Sequence, residues 1–184
     1  MNKLKLFPLG LVAYPTKIVP LHIFEERYKA LINECISLKQ EFGMVYSLDS
    51  GLADFGCSLT VSEVIKTYPS GEMDIITKGQ RIFKIHSNIV ENELNVGQVE
   101  FQDDKNESFG DQFDKLKEKY LKLLLQLGVT DQIERHMNKA RSFELIEHIQ
   151  LPHEVELLLI STRSEIDRLR VLDEIFDQIL KKGI

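Results

Sequence analysis

Apolar residues change their spacing twice along the chain, and each change marks a different kind of element. From residue 28 they fall at Tyr28, Leu31, Ile32, Cys35 and Ile36, the i, i+3, i+4, i+7, i+8 stripe of a helix with one buried face. Ahead of it stand Pro8, Pro15 and Pro20. Each proline fixes its own φ, lacks an N–H and pushes the residue before it toward extended geometry. That stretch predicts short strand pieces joined by rigid corners. From residue 42 to residue 102 the pattern is extended. Residues 60–68 run into Pro69-Ser70-Gly71 and residues 73–77 return from it, a hairpin with turn chemistry in the gap. Residues 81–85 predict a third strand, with Ile82 and Lys84 alternating against Arg81, Phe83 and Ile85, and residues 96–101 a fourth. Several short strands and one inserted helix predict a small β-barrel, closed or nearly so, because closure removes edges that would recruit other chains.

The second change follows residues 103–108, a polar run without any apolar residue and the best linker in the chain. Beyond it the spacing is helical throughout. Phe113, Leu116, Tyr120, Leu123, Leu124 and Leu127 form one stripe, with Gly128 as its stop. Phe143, Leu145, Ile146 and Ile149 predict a shorter helix ended by Leu151-Pro152, and Pro152 then suits the first turn of a helix over 155–160. Ser164, with Asp167 three residues on, resembles a capping box ahead of Ile166, Leu169, Leu172, Ile175, Phe176 and Ile179. No internal repeat is present. The expected class is α+β: a barrel subdomain over 1–102 and a C-terminal α-helical bundle over 103–184.

The segments that carry the strand and helix signals also carry a resemblance. Leu6-Phe7-Pro8-Leu9-Gly10, Val12-Ala13-Tyr14-Pro15 and the run from Val19-Pro20-Leu21-His22-Ile23 to Phe24-Glu25-Glu26-Arg27-Tyr28 resemble the amino-terminal domain of the Lon protease family, the LON substrate-binding domain, which also occurs as a free-standing protein. Residues 42–45, 56–64, 69–76 and 78–85 resemble further family segments, and Leu151-Pro152 with 165–179 its closing helices, so the resemblance spans nearly the whole chain. It implies a PUA-like barrel and a module that captures unfolded or damaged polypeptide, as a chaperone-like holder or as an adaptor delivering clients to a separate protease. Two alternatives stay open: RNA binding, as in some PUA-class proteins, and a scaffold for one specific folded partner. Ile82 and Lys84 stand where the family often has Arg, Glu26 replaces a frequent proline and Leu59 a small residue. The first departure weakens any inference of an acidic ligand on that strand.

Composition narrows the choice. Apolar residues make up 43% and charged residues 28%, an ordinary soluble balance. The formal charge of −6 divides as 10 basic against 12 acidic residues in 1–102 and 13 against 17 in 103–184. Neither half has the excess of Lys and Arg that phosphate neutralisation needs, so nucleic acid is disfavoured. No apolar run approaches the roughly 18 residues of a membrane span. Lys3 and Lys5 precede an apolar run that Pro8 and Pro15 interrupt, which argues against a secretory signal. Cys35 and Cys57 suit packed, reduced thiols and a cytoplasmic location.

Catalytic chemistry is missing from the pattern. Gly51 to Gly56 has the two-glycine spacing of a phosphate loop, but Cys57-Ser58 stands where Lys-Ser or Lys-Thr is required, and a strand follows rather than a helix. No serine in a Gly-rich segment has a lysine at a suitable distance, which argues against a Ser-Lys peptidase. His148 and His153 are five apart across Pro152, unlike the i, i+4 pair of a zinc peptidase. His22 is expected to pack or to bond backbone. No cofactor and no metal are expected, and no signal for an oligomeric state is present.

The candidate structural and binding residues are therefore those of the signature: Pro8, Pro15, Pro20, Phe24, Glu25, Arg27, Tyr28, Gly79, Arg81 and Phe83. Glu25 or Glu26 is expected to pair with Arg81, because an Arg beside Phe83 and Ile85 on an alternating strand is half buried and needs an acceptor. Gly71 and Gly79 are expected at turns with positive φ. Phe7, Tyr14, Phe24, Tyr28 and Phe83 are expected mainly in the core, with one or two exposed beside a groove.

Overall fold

The computed structural model describes residues 1–129 and 133–182, so the expected helical stretch is not described at 130–132 or beyond 182. The chain divides into two compact units, Met1–Asp103 and Asp104–Ile184.

In the first unit, β1 (Asn2–Leu9), β2 (Ile18–Ile23), α1 (Glu26–Leu38), β3 (Phe42–Leu48), β4 (Gly51–Thr67), β5 (Met73–Glu91) and β6 (Leu94–Phe101) follow one another. The six strands form one sheet in the order β2-β5-β4-β3-β1-β6, with β6 also paired to β5. Only β1 and β3 run parallel. Residues 73–77 and 81–85, expected as two strands, belong to the single strand β5. The reason lies at Gly79, which is no turn residue. A Cβ there would stand 2.0 Å from the Tyr14 carbonyl oxygen, so glycine lets a second backbone cross the strand without breaking it. Gly71, by contrast, has φ +83° in the β4–β5 turn.

The helix α1 buries Tyr28, Leu31, Ile32 and Cys35 as its stripe requires, while Ile36 is exposed. Its buried face joins Phe7, Phe42, Met44, Leu59, Met73 and Ile75 in the main core. Phe83 anchors a second cluster with Leu4, Leu6, Val45 and Val99. Lys39 closes the helix in the left-handed conformation and donates to the Cys35 carbonyl.

The second unit holds α2 (Gly110–Gln126), α3 (Ile133–Met137), a 3₁₀ turn (Ser142–Ile146), α4 (His153–Ser161) and α5 (Glu165–Lys182). Gly128, at φ +71°, follows α2. The expected helix through Ile149 is only the 3₁₀ turn: Glu144 turns its carboxylate back onto the N–H groups of Ala140 and Arg141, which fastens the start of a segment too short to nucleate an α-helix. Ser164 caps α5 by accepting from the Asp167 N–H at 3.2 Å. Asp167 does not complete a capping box and pairs instead with Arg170. The polar run 103–108 has no regular structure, yet two of its residues are firmly held. Asp104 accepts from Arg168, and Glu107 accepts from the Ser164 hydroxyl and the Ile166 N–H. Backbone donors at the start of α5 hold the Glu107 carboxyl below its usual range.

Candidate functional site

Several strands of the first unit lose a neighbour around one place. The β1–β6 pairing ends at Leu6, so Phe7, Pro8 and Leu9 keep only β3. The β4–β5 pairing ends at Phe55 opposite Lys84; from Ile85 onward β5 pairs with β6 alone, and β4 keeps only β3, through Leu52 and Gly51, with Ala53 and Asp54 at a register shift. The strand β2 has β5 as its one neighbour along its whole length. A cleft of about 1030 Å³ opens where these edges come free. It is lined by residues 7–9, 20–25, 47–48, 50–54 and 85–88, with Arg27, Tyr28 and Asn95. Successive side chains on a strand point to opposite faces. Unbroken runs of lining residues therefore mean that strand edges, backbone included, border the cleft.

Six of the ten signature residues line this cleft: Pro8, Pro20, Phe24, Glu25, Arg27 and Tyr28. Pro20 occupies the edge strand, where a residue without an N–H is tolerated and further pairing is discouraged. Phe24 is 59% exposed, stacked on His22 with ring centroids 5.9 Å apart. Tyr28 is buried against Phe7 at 4.2 Å, and desolvation raises its phenol pKa.

The other four lie elsewhere. Pro15 leads a tight turn in which the Lys17 N–H donates to the Tyr14 carbonyl at 3.1 Å. Gly79 receives that turn: Thr16 N–H donates to the Gly79 carbonyl, and Gly79 N–H to the Lys17 carbonyl. Phe83 is wholly buried in the second cluster. Arg81 pairs with Glu41 at 3.1 Å and covers the Phe101 ring at 3.7 Å. The expected bond from Glu25 or Glu26 to Arg81 is absent because both carboxylates are engaged locally. Glu25 holds Arg27 at 2.7 Å and Glu26 holds Lys29.

The charged rim is largely self-neutralised. Arg27 also donates to the Glu93 carbonyl and lies over the Tyr28 ring. His22 bonds the Asp74 carboxylate at 2.7 Å, not backbone as expected, and Tyr68 donates its hydroxyl to the other oxygen at 2.7 Å. The His22 bond first, then that of Tyr68, holds the Asp74 carboxyl below its ordinary range. His86 meets Glu100 at 2.9 Å. Among the described residues no cluster of His, Cys, Asp or Glu has the geometry to hold a metal ion. Cys35 and Cys57 are free and buried, and desolvation pushes their thiols up to about 11 and about 12, far from a reactive thiolate.

Residue-type reasoning overlooked Leu48, residues 50–54 and residues 85–88. Leu48, 42% exposed, sits directly before the Asp49-Ser50 turn. A large apolar residue abutting turn chemistry was the available signal. Residues 85–88 carried none, since their position follows from β5 changing partners.

The family model of the ATP-dependent protease La (LON) substrate-binding domain matches residues 3–172. Among solved structures, the Lon N-terminal domain protein from Xanthomonas campestris is 24% identical and superposes with a TM-score of 0.75 over 94% of this chain and 97% of that one. The N-terminal domain of the Mycobacterium avium complex Lon protease, 14% identical, superposes at 0.79 over 96% and 98%. At these identities the structures establish a shared mixed α+β fold. Among the described residues no helix is long and apolar enough to cross a membrane. With its match extending over nearly its full length, the chain belongs to the family of LON substrate-binding domains.

Proposed function

We propose that the cleft captures unfolded or damaged polypeptide, and that the chain works as a non-catalytic holder or as an adaptor that passes clients to a separate protease. The observation that carries this is Phe24 together with Leu48. Both are large, apolar and exposed, and both line the same cleft. Exposed apolar groups in a concavity whose charged rim is internally paired, the acidic Asp54 apart, favour an apolar chain over a polyanion. The double pairing of β6 supports a PUA-like barrel, since the order β5-β4-β3-β1-β6 returns to β5. Helices α2 and α5, joined by Tyr120 against Phe176, support a bundle in the second unit. Two buried unpaired thiols support a reducing, cytoplasmic setting.

The test is a titration of a permanently unfolded protein, its folded counterpart and a short RNA at two salt concentrations. The unfolded protein is expected to bind at both. Phe24→Ser with Leu48→Ser is expected to weaken that binding roughly tenfold or more, the scale of one or two lost apolar contacts, with the melting temperature nearly unchanged. RNA binding that falls steeply with salt, without binding of unfolded protein, would replace this proposal with the nucleic-acid alternative.

A further inference from the structure

We propose that the occupant enters the cleft as an added β-strand, an extended segment whose backbone pairs with the open edges of β4 and β5 and whose basic side chain meets Asp54. This rests on the cleft being the polypeptide site and specifies the form the polypeptide takes there. Beyond the Phe55–Lys84 pair, residues 51–54 of β4 and 85–88 of β5 have each lost the other strand as a neighbour, yet both runs border the same cleft. Gly51 and Leu52 still pair with β3, and Ile85, Ser87 and Asn88 with β6, while Ala53, Asp54 and His86 fall at register shifts; on the side that each run has lost, its backbone donors and acceptors have no strand to meet. Unpaired edges of this kind are templates for another chain.

The prolines decide which edges are available. Pro8 and Pro20 each remove a backbone donor from β1 and β2 where these strands border the cleft, whereas residues 51–54 and 85–88 contain no proline. Main-chain pairing is also indifferent to client sequence, which suits a site that must accept many clients.

Charge supplies the specificity. Of the charged side chains lining the cleft, Glu25 and Arg27 satisfy each other, and His22 and His86 meet Asp74 and Glu100. Asp54 is exposed and has no ion pair or hydrogen bond among the described residues. A lysine or arginine on the bound segment would supply the missing counter-charge.

The probe is a synthetic decapeptide of alternating Val and Thr with one central Lys, tested by fluorescence anisotropy alongside the same peptide with central Glu and the Lys peptide N-methylated at alternate amides. The expected results are competition with the unfolded protein, at least tenfold weaker binding of the N-methylated form from two or more lost backbone bonds, and a preference for Lys over Glu that Asp54→Lys reverses. Equal binding of the N-methylated peptide would overturn strand addition and leave polypeptide capture standing. An unchanged Lys preference in Asp54→Lys would overturn the charge contact. Failure of unfolded protein itself to bind would remove the underlying proposal and this one together.

Discussion

The two units bury different things. Inside the first, the buried polar side chains are Lys29, Ser58 and Thr77, and everything else is aliphatic, aromatic or thiol. Inside the second they are His136, Lys139, Ser142, Glu156, Ser164, Glu165 and Arg168. A sheet satisfies its backbone through ladders and sets its register by alternation, so its interior can be apolar throughout. Short helices joined by irregular turns leave N–H groups and carbonyls at every end. The second unit meets that demand with charged side chains, and Arg168 is the centre of the arrangement. Fully buried, it donates to Glu165, Asp104, the Ser142 hydroxyl and the Thr162 carbonyl while lying over the Phe143 ring. Glu165 in turn accepts from the Ser142 N–H and hydroxyl. The first unit thus builds an almost wholly apolar interior and sets two of its exposed apolar groups, Phe24 and Leu48, in a cleft, whereas the second uses ionic groups to hold itself together.

The largest expected effect follows from that contrast. Arg168→Met leaves the wholly buried Glu165 carboxylate without its cation, a loss of about 3–5 kcal/mol for breaking a buried pair. Urea denaturation measures it, and hydrogen exchange by mass spectrometry locates it, with protection expected to fall across 104–182. Replacing Arg168, Glu165 and Ser142 together with Met, Leu and Ala should recover much of the loss, because an apolar cluster needs no counter-charge. If the triple variant is as unstable as the single one, the buried ions are not what distinguishes the second unit.

The counterpart in the first unit is steric. Gly79→Ala places a Cβ against the Tyr14 carbonyl, and that carbonyl is fixed by the two backbone bonds between the 14–17 turn and Gly79. Relief requires the turn to lift from β5. About 2–3 kcal/mol is expected, at the upper end of overpacking costs, with exchange protection lost around residues 12–20 and 73–82. A loss spread evenly over the chain would deny that this contact is local.

These two positions also show what was legible in the sequence. Period-3.6 stripes placed α1, α2 and α5, because burial of one face is a local property of spacing. Ile36 escaped that rule, since a stripe states which residues share a face and not how far the neighbouring sheet extends over it. Gly79 read as a turn because its actual cause, the Tyr14 backbone, lies more than sixty residues away in the chain. Arg81 has the same history: its need for an acceptor was visible, but Glu41 comes from 40 residues away, just before β3, and only the β3–β4–β5 pairing brings the two together. The cleft was legible in its signature half, Pro8 and Pro20 to Tyr28. Its other half follows from β5 exchanging β4 for β6, which no residue type announces.

A smaller effect sets the units apart by pH. His136 is buried and shares a hydrogen bond with the Tyr120 hydroxyl across 2.8 Å, with Arg135, Lys139, Glu147 and His148 as its charged or titratable neighbours. Desolvation first, then His148 and Lys139, lowers its pKa. The unfolded chain therefore takes up a proton near pH 6.5 while the folded one does not. Stability from this site is complete above about pH 6.5 and is lost as pH falls toward the lower folded value. The carboxyls held low, Asp74, Glu107, Glu147 and Asp177, act only in the more acid range. Between pH 7.5 and 5.5 the melting temperature should fall less steeply for His136→Gln than for the parent chain. Equal slopes would mean that His136 takes no part in the pH response.

The smallest effect returns to the first unit and concerns strain. Pro15 and Thr16 are the central residues of the turn closed by the Lys17–Tyr14 bond, and Thr16 has φ 75°. A turn with proline second and a positive φ third is of type II, which asks for Gly or Asn in that third place. A β-branched threonine meets its own backbone there, at a cost of about 1–2 kcal/mol. The turn persists because its backbone is held from outside, Thr16 N–H to the Gly79 carbonyl and Gly79 N–H to the Lys17 carbonyl, so β5 compensates for the local misfit. Thr16 is exposed and its side chain has no partner among the described residues, so its replacement removes strain and little else. Thr16→Asn, which tolerates the left-handed region, should therefore stabilise the chain by about 1 kcal/mol and raise the melting temperature by roughly 2–4 °C. Thr16→Gly should gain less, because glycine adds freedom to the unfolded chain. A gain for Gly that exceeds the gain for Asn would show that the turn wants no side chain at all, and that crowding against the crossing at Gly79, rather than φ, is what Thr16 suffers.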